Sequence, residues 1–521
     1  MKNKILIAGV IAAVVALAII IPSCNKLDLT PLDKTTSATF YKTPADFDAA
    51  IFAAYSSMQD MWVVNGETGR GGGDGWGAFW AISMAPTDDV KINSLASTNG
   101  SGMLDEARKL DALNFNTTNS HIYTLYSQVY EGITRANLVI ENVDNGANSL
   151  TAAQKTQVTA EAKFIRGFFH FIAAQIWKTA PLVLEVPKKT SGLTYTNCDP
   201  VALLTACAND FKDASNGLPA TWDAANTGRA TKWGAKAFEG KVYVWQAKYN
   251  EAVDAFEQAE KNGSYQLLPE YDDAFAYAKE NSNESVFEVQ YGGPYSDDNG
   301  WVYDDNHSES YKASQGIARN WFFYTNDAFG SGGGSNSLKW YVPTQALKTE
   351  FLTEPADKRL AASMYYIPGE PYPSFAYSNR NPDEPYNPVG SETGLSIKKY
   401  FGLKNVDANE YRQNVQFNNE RFYRYSEVLL LHAEALLKGG TPKGISTFQS
   451  ALACVNATRG RAGLPALASV SETQLRSEKR KELAFEPARY FDMIRWGIGG
   501  AKILPFPQAE IDRNQGSLKQ N

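Results

Sequence analysis

Flat aromatic rings set among glycines and acids are the residues of this chain whose types and spacing best suit chemistry, and that chemistry is binding. Trp76 and Trp80 flank a glycine-rich stretch with Asp74 beside them, and Asp88-Asp89 follow. Tyr295, Trp301 and Tyr303 lie in an Asn/Asp/Gly-rich stretch, and Trp340-Tyr341 follow the glycines of Gly330–Gly334, just before Pro343. Aromatics beside flexible polar loops are expected at the surface, where they mark binding sites. A sugar offers apolar C–H patches that stack on rings, and hydroxyls that bond to Asn, Asp and Arg. Asp74, Trp76, Trp80, Tyr295, Trp301, Tyr303, Trp340 and Tyr341 are therefore the candidate ligand contacts, expected to converge on one shallow surface.

Catalytic patterns are missing. His121, His170, His307 and His432 have no metal-ligand spacing to each other or to cysteine. The clusters Gly71–Gly75 and Gly330–Gly334 lack the Lys-Ser/Thr end and the strand-to-helix context of a phosphate loop. Asp297, Asp298, Asp304 and Asp305 could hold calcium through oxygens, but the EF-hand spacing is not met, and no cofactor is expected. An all-helical glycoside hydrolase would need two carboxylates across a sugar, and no localised pair stands out, so no enzyme is expected.

The N-terminus addresses the chain. Lys2 and Lys4 precede an apolar run from Ile5 to Ile21, then Pro22-Ser23-Cys24. The run is shorter than the roughly 20 residues needed to span a bilayer. A charged start, a short apolar core and a small residue before cysteine read as a signal peptide over 1–23. The cysteine makes it resemble a bacterial lipoprotein signal, in which Cys24 is lipidated and becomes the new N-terminus.

With 43% hydrophobic and 21% charged residues the chain is globular. Its net charge of -7 argues against nucleic acid, which demands concentrated Lys and Arg. Cys198, Cys207 and Cys454 are an odd set; Cys198 and Cys207 could pair, but free thiols are the expectation. Most of the 27 Tyr, 26 Phe and 11 Trp must fill a core.

The elements that position these residues are mainly helices. Phe47, Ile51, Ala54, Tyr55 and Met58 recur at three- and four-residue steps over Pro44–Met61, with Thr43 as N-cap and proline at the first helical position. His121–Val143 and residues 151–177 repeat that periodicity, and Ser285–Gln290 is the clearest strand candidate. Between Ala235 and Asn262 two helices joined at Lys248-Tyr249-Asn250 carry Gly240, Tyr243, Tyr249, Ala252, Phe256 and Ala259 at tetratricopeptide-like spacing. A looser pair runs from Glu420 to Arg461, and such pairs stack. Residues 263–420 are rich in Gly, Asn, Asp, Pro and aromatics, and read as loop-rich insertions on the helical scaffold.

Lys479-Arg480, Glu482-Leu483, Phe485-Glu486, Arg489, Asp492 and Arg495-Trp496 form an ordered set near the C-terminus. In this set the chain resembles the SusD/RagB family of outer-membrane nutrient-binding lipoproteins, with Lys479 in place of an acid and Pro487 in place of a glycine. Pro487 should break or kink the helix there. Arg424–Leu437, Val455–Leu464, Tyr130–Val143, Ala160–Leu184 and the ending Leu504–Asn521 also match. The charges of the signature sit at helical spacings where they pair as scaffolding. The resemblance implies a mainly α, SusD-like fold with tetratricopeptide-like helix pairs, divided as 24–262 and 263–521. It also implies capture of a glycan, delivered to a TonB-dependent SusC-like transporter by a protein held to the outer membrane through its N-terminal lipid. A RagB-like peptide ligand is the alternative.

Overall fold

The computed structural model describes residues 40–62, 77–96, 102–144, 148–188, 192–291, 340–367, 390–400 and 418–521. Cys24 and the signal-like segment lie outside the described residues.

The chain opens on α1 (Pro44–Asp60), which starts where the sequence predicts. Thr43 accepts from the Asp46 amide, the Asp46 carboxylate accepts from the Thr43 amide, and Pro44 occupies the first turn. Its Phe47, Ile51, Ala54 and Met58 are buried as one stripe. Next come α2 (Ala78–Met84), β1 (Val90–Ile92), α3 (Met103–Asp111), α4 (Ser120–Asp144), α5 (Ala152–Trp177) and α6 (Pro200–Gly217). The long helices α4, α5 and α6 pack each on the next.

The tetratricopeptide-like pair is α7 (Lys232–Trp245) and α8 (Tyr249–Asn262). A Cβ at Gly240 would lie 2.6 Å from Cε1 of Phe256, so only glycine lets the ring seat between the crossing helices. Further on are β2 (Ser285–Val289), β3 (Tyr341–Pro343), α9 (Gln345–Leu352), α10 (Arg359–Ser363), β4 (Met364–Tyr365), β5 (Ser396–Ile397) and β6 (Glu420–Arg424). The second helix pair is α11 (Tyr425–Leu437) and α12 (Ala451–Arg461), and α11 also packs on α8, so the two pairs stack. The chain ends in α13 (Glu472–Glu482), α14 (Arg489–Trp496) and α15 (Gln508–Arg513). The signature segment is broken between α13 and α14, across Pro487, with Phe485 at a φ of 62°.

Strands are few and short. β1 pairs antiparallel with β3 (Val90 opposite Pro343, Ile92 opposite Tyr341), β2 with β6 through a register shift, and β4 with β5. One hydrophobic cluster takes residues from Ala54 to Leu518. Aromatic rings run through it: Phe168 meets Phe422 at 4.7 Å between centroids, Phe164 meets Phe287 at 5.1 Å, and Phe238 stacks on Phe211 at 5.1 Å. Cys198, Cys207 and Cys454 are free thiols, with Cys198 only half-buried. Among the described residues no helix is long and apolar enough to cross a membrane.

Candidate functional site

Three of the candidate ligand contacts are described, and the expectation that they are exposed is corrected for each. Trp80 is 2% exposed, and Trp340 and Tyr341 are each 1% exposed. The physical reason is the same in all three. Trp80 and Tyr341 belong to the elements that follow the glycine-rich stretches, and Trp340 immediately precedes one. Trp80 sits in the first turn of α2, whose seven residues are all buried. Gly77 takes a φ of +61°, and a Cβ there would lie 2.6 Å from Cε3 of Trp80. Trp340 and Tyr341 lead into and begin β3, where burial of a large ring outweighs the loop character of the residues before it. Asp74, Trp76, Tyr295, Trp301 and Tyr303 lie outside the described residues, as do Asp297, Asp298, Asp304 and Asp305.

The described residues do reveal the frame from which those stretches spring. Two buried asparagines organise it. Asn93, just past β1, donates its amide to the Trp340 carbonyl (2.8 Å) and its Nδ2 to the Gly390 carbonyl (2.7 Å). Its Oδ1 accepts from the amides of Leu95 and Glu392, both at 3.2 Å. Asn93, through its backbone amide and its side chain, thus ties the residues flanking 97–101, 292–339 and 368–389. Asn419 does the same at the other root. Its Oδ1 accepts from the Tyr291 amide (2.7 Å), and its Nδ2 donates to Glu288 Oε2 and Gln290 Oε1, both at 2.9 Å. The Tyr291 hydroxyl then donates to the Gln59 carbonyl at 3.0 Å, and Gln59 Nε2 donates to the Gln290 carbonyl at 2.6 Å. The chain entering 63–76 is therefore bonded to the chain entering 292–339. Every one of these amide groups is satisfied, as buried polar groups must be to avoid a desolvation cost.

Glu280 accepts from the Asn419 amide at 2.6 Å; burial pushes its carboxyl up to about 7, against the opposing pull of Arg421.

Behind the frame lies a buried ionic assembly built from the signature segment. Arg424 bonds bidentately to Glu486 (2.7 Å to each oxygen) and also reaches Glu284 (2.5 Å) and Glu482 (3.2 Å). Arg461 pairs with Glu482 and Glu284, and Arg359 with Asp357 (2.8 Å), Glu478 (2.7 Å) and Glu482 (3.1 Å). Burial alone would raise the Glu482 carboxyl, but Arg461, Arg424 and Arg359 hold it well below the usual range. Lys399 donates to Glu486 and to the Tyr271 hydroxyl, both at 2.6 Å, and burial pushes its ammonium down to about 8. At the periphery Arg495 pairs with Glu434, Lys479 with Asp492 (2.8 Å), and Arg489 with Asp88 (2.8 Å). These charges are committed to one another, so the signature acts as scaffolding. Among the described residues no cluster of His, Cys, Asp and Glu could hold a metal ion.

Stacked helix pairs joined to a hydrogen-bonded frame define the class: a helical-repeat scaffold. The comparisons give the family. Residues 249–503 match the SusD family, and residues 85–244 match the family described as starch-binding and associating with the outer membrane. The chain belongs to the SusD/RagB family. It is 24% identical to SusD-like protein P2 of Formosa agariphila, over 97% of this chain and 94% of that protein. Its fold is similar to that of a laminarin-binding SusD-like protein, with a TM-score of 0.71, 22% identity, and coverage of 92% of this chain and 99% of that one. It is also similar to surface glycan-binding protein A of Bacteroides thetaiotaomicron in complex with laminarihexaose, with a TM-score of 0.70, 20% identity, and coverage of 92% and 100%.

Asn93 and Asn419 are the frame residues that sequence reasoning missed. The available signal was weak: each is an asparagine beside a short strand in a loop-rich region, a setting that many loop asparagines share.

Proposed function

We propose that this protein captures an oligo- or polysaccharide at the cell surface and delivers it to a TonB-dependent SusC-like transporter in the outer membrane. One observation carries the reading: the Tyr291 hydroxyl joins the root of the segment holding Tyr295, Trp301 and Tyr303 to the last turn of α1, three residues before the segment holding Trp76. The shared root supports the reading that Trp76, Tyr295, Trp301 and Tyr303 contact one ligand. The glycan-binding relatives support the ligand class. Binding without turnover is the mechanism: rings stack on sugar faces and polar side chains bond to hydroxyls.

The test is incubation of the purified protein with a panel including laminarihexaose and soluble starch. Depletion of a glycan with no new reducing ends is the expected result. New reducing ends would contradict it. Cys24 carries the anchoring lipid in this reading, so Cys24→Ala should release protein from the membrane fraction; retention with an intact mature N-terminus would refute the anchor. Co-purification from detergent-solubilised outer membranes should recover a large barrel protein, and repeated isolation of the chain alone would refute the partnership.

A further inference from the structure

A groove of about 260 Å³ opens between α1, the turn at 227–229 and the end of β2, with Phe52, Gln59, Arg229, Phe287, Val289 and Gln290 among its walls. Phe52 stands at it with 49% of its surface exposed, whereas the other large aliphatic and phenyl side chains of α1, Phe47, Ile51 and Met58, are buried. The Arg229 guanidinium lies 5.2 Å from the Phe52 centroid and 4.6 Å from that of Trp222. Arg229 cannot swing away, because Glu161 (2.8 Å), Asp48 (2.6 Å) and Asn226 (2.8 Å) hold it. The ring is thereby backed by a fixed cation and forms a rigid platform.

The charges of the groove decide what it can take. Arg229 is neutralised by Glu161 and Asp48, while Glu288 accepts from Asn419 and faces Arg421 at 3.5 Å. A charged ligand would find no free counter-charge. The groove does offer apolar ring and aliphatic surface edged by polar groups. Thr227 Oγ1 donates inward to the Ala224 carbonyl at 3.0 Å, which leaves its lone pairs to accept from a ligand. The volume falls below the roughly 300–1,000 Å³ of drug-sized pockets. A neutral ring with an apolar face and a hydroxyl edge meets all three conditions.

We propose that this groove is an accessory subsite for a single neutral sugar ring stacked on Phe52. It rests on the glycan reading above and extends it. Gln59 and Gln290, which line the groove, are joined to each other by the hydrogen bond from Gln59 Nε2 to the Gln290 carbonyl.

The experiment is calorimetric titration of wild type, Phe52→Ala and Phe52→Tyr with laminarihexaose and with maltohexaose, alongside thermal melts and hydrogen exchange. Whichever probe wild type binds should bind Phe52→Ala about 3- to 10-fold more weakly, with Phe52→Tyr restoring affinity. Saturating probe should protect amides in 52–59 and 287–290 of wild type, a readout that holds even if a variant is destabilised. Full affinity in Phe52→Ala, or absent protection at the groove, overturns the subsite and leaves the glycan reading standing. Wild type that takes up neither probe at millimolar concentration overturns the glycan reading and the groove with it.

Discussion

The α7–α8 hairpin and the assembly around β6, α10, α12 and α13 are both buried, yet opposite forces hold them. In the hairpin a missing side chain at Gly240 admits the Phe256 ring, and shape complementarity does the work. In the assembly Arg359, Arg424 and Arg461 are removed from water and tied to Asp357, Glu284, Glu478, Glu482 and Glu486. Hydrophobic packing tolerates small errors gradually, whereas a buried charge tolerates losing its partner badly. The second region should therefore be the more brittle of the two.

The largest expected effect follows directly. Arg424→Ala leaves three buried carboxylates short of a partner, and breaking such a set costs about 3–5 kcal/mol. Urea denaturation monitored by circular dichroism checks it, and a loss no larger than that of an exposed arginine would erase the contrast between the regions. Gly240→Leu comes next. Overpacking typically costs about 1–3 kcal/mol, and an unchanged melting temperature would show that α7 and α8 can separate freely.

Acid probes the buried titratable groups around both regions. Burial would raise Glu434, but Arg495 and Lys479 hold it down to about 2, below its unfolded value of 4.5. Its contribution is present above pH 4.5 and is lost as pH falls from there towards 2. His170 is held neutral by burial and by Arg166, down to about 3 against 6.5 unfolded, so its contribution is lost from pH 6.5 downwards. Glu280, raised to about 7, works in the opposite direction: acidification between about 7 and 4.5 favours the fold. From pH 6.5 to 4.5 His170 and Glu280 oppose each other, so their two contributions largely cancel. Below 4.5 Glu280 stops compensating, and His170 and Glu434 both count against the fold. Denaturation midpoints across pH 3–7 test this; rising stability below pH 4.5 would contradict it.

How much of this was legible depended on the range of the forces. The capping box at Thr43, the hairpin and its glycine, the strand at 285–289 and the break at Pro487 are local, and periodicity or residue type announces them. The partners of Arg359 lie as far as 123 residues away in sequence, so spacing could show that charges pair but not with which residues. Trp80, Trp340 and Tyr341 were misplaced at the surface because glycine-rich neighbours say where a loop ends, not which way the next side chain turns. Asn93 and Asn419 were invisible for a related reason, since their partners come together only in the fold.

The most direct test of the account compares rings that it assigns to opposite roles. Trp76→Ala and Trp301→Ala should each weaken binding of laminarihexaose, or whichever panel glycan binds, by about 1–3 kcal/mol without lowering the melting temperature. Trp340→Ala, which empties a core position, should instead destabilise the fold by about 3–5 kcal/mol. Calorimetric titration and thermal melts of the three variants read both quantities at once. Undiminished binding by both Trp76→Ala and Trp301→Ala, or a Trp340→Ala variant that melts like wild type, would contradict the separation of ligand-contacting rings from supporting frame.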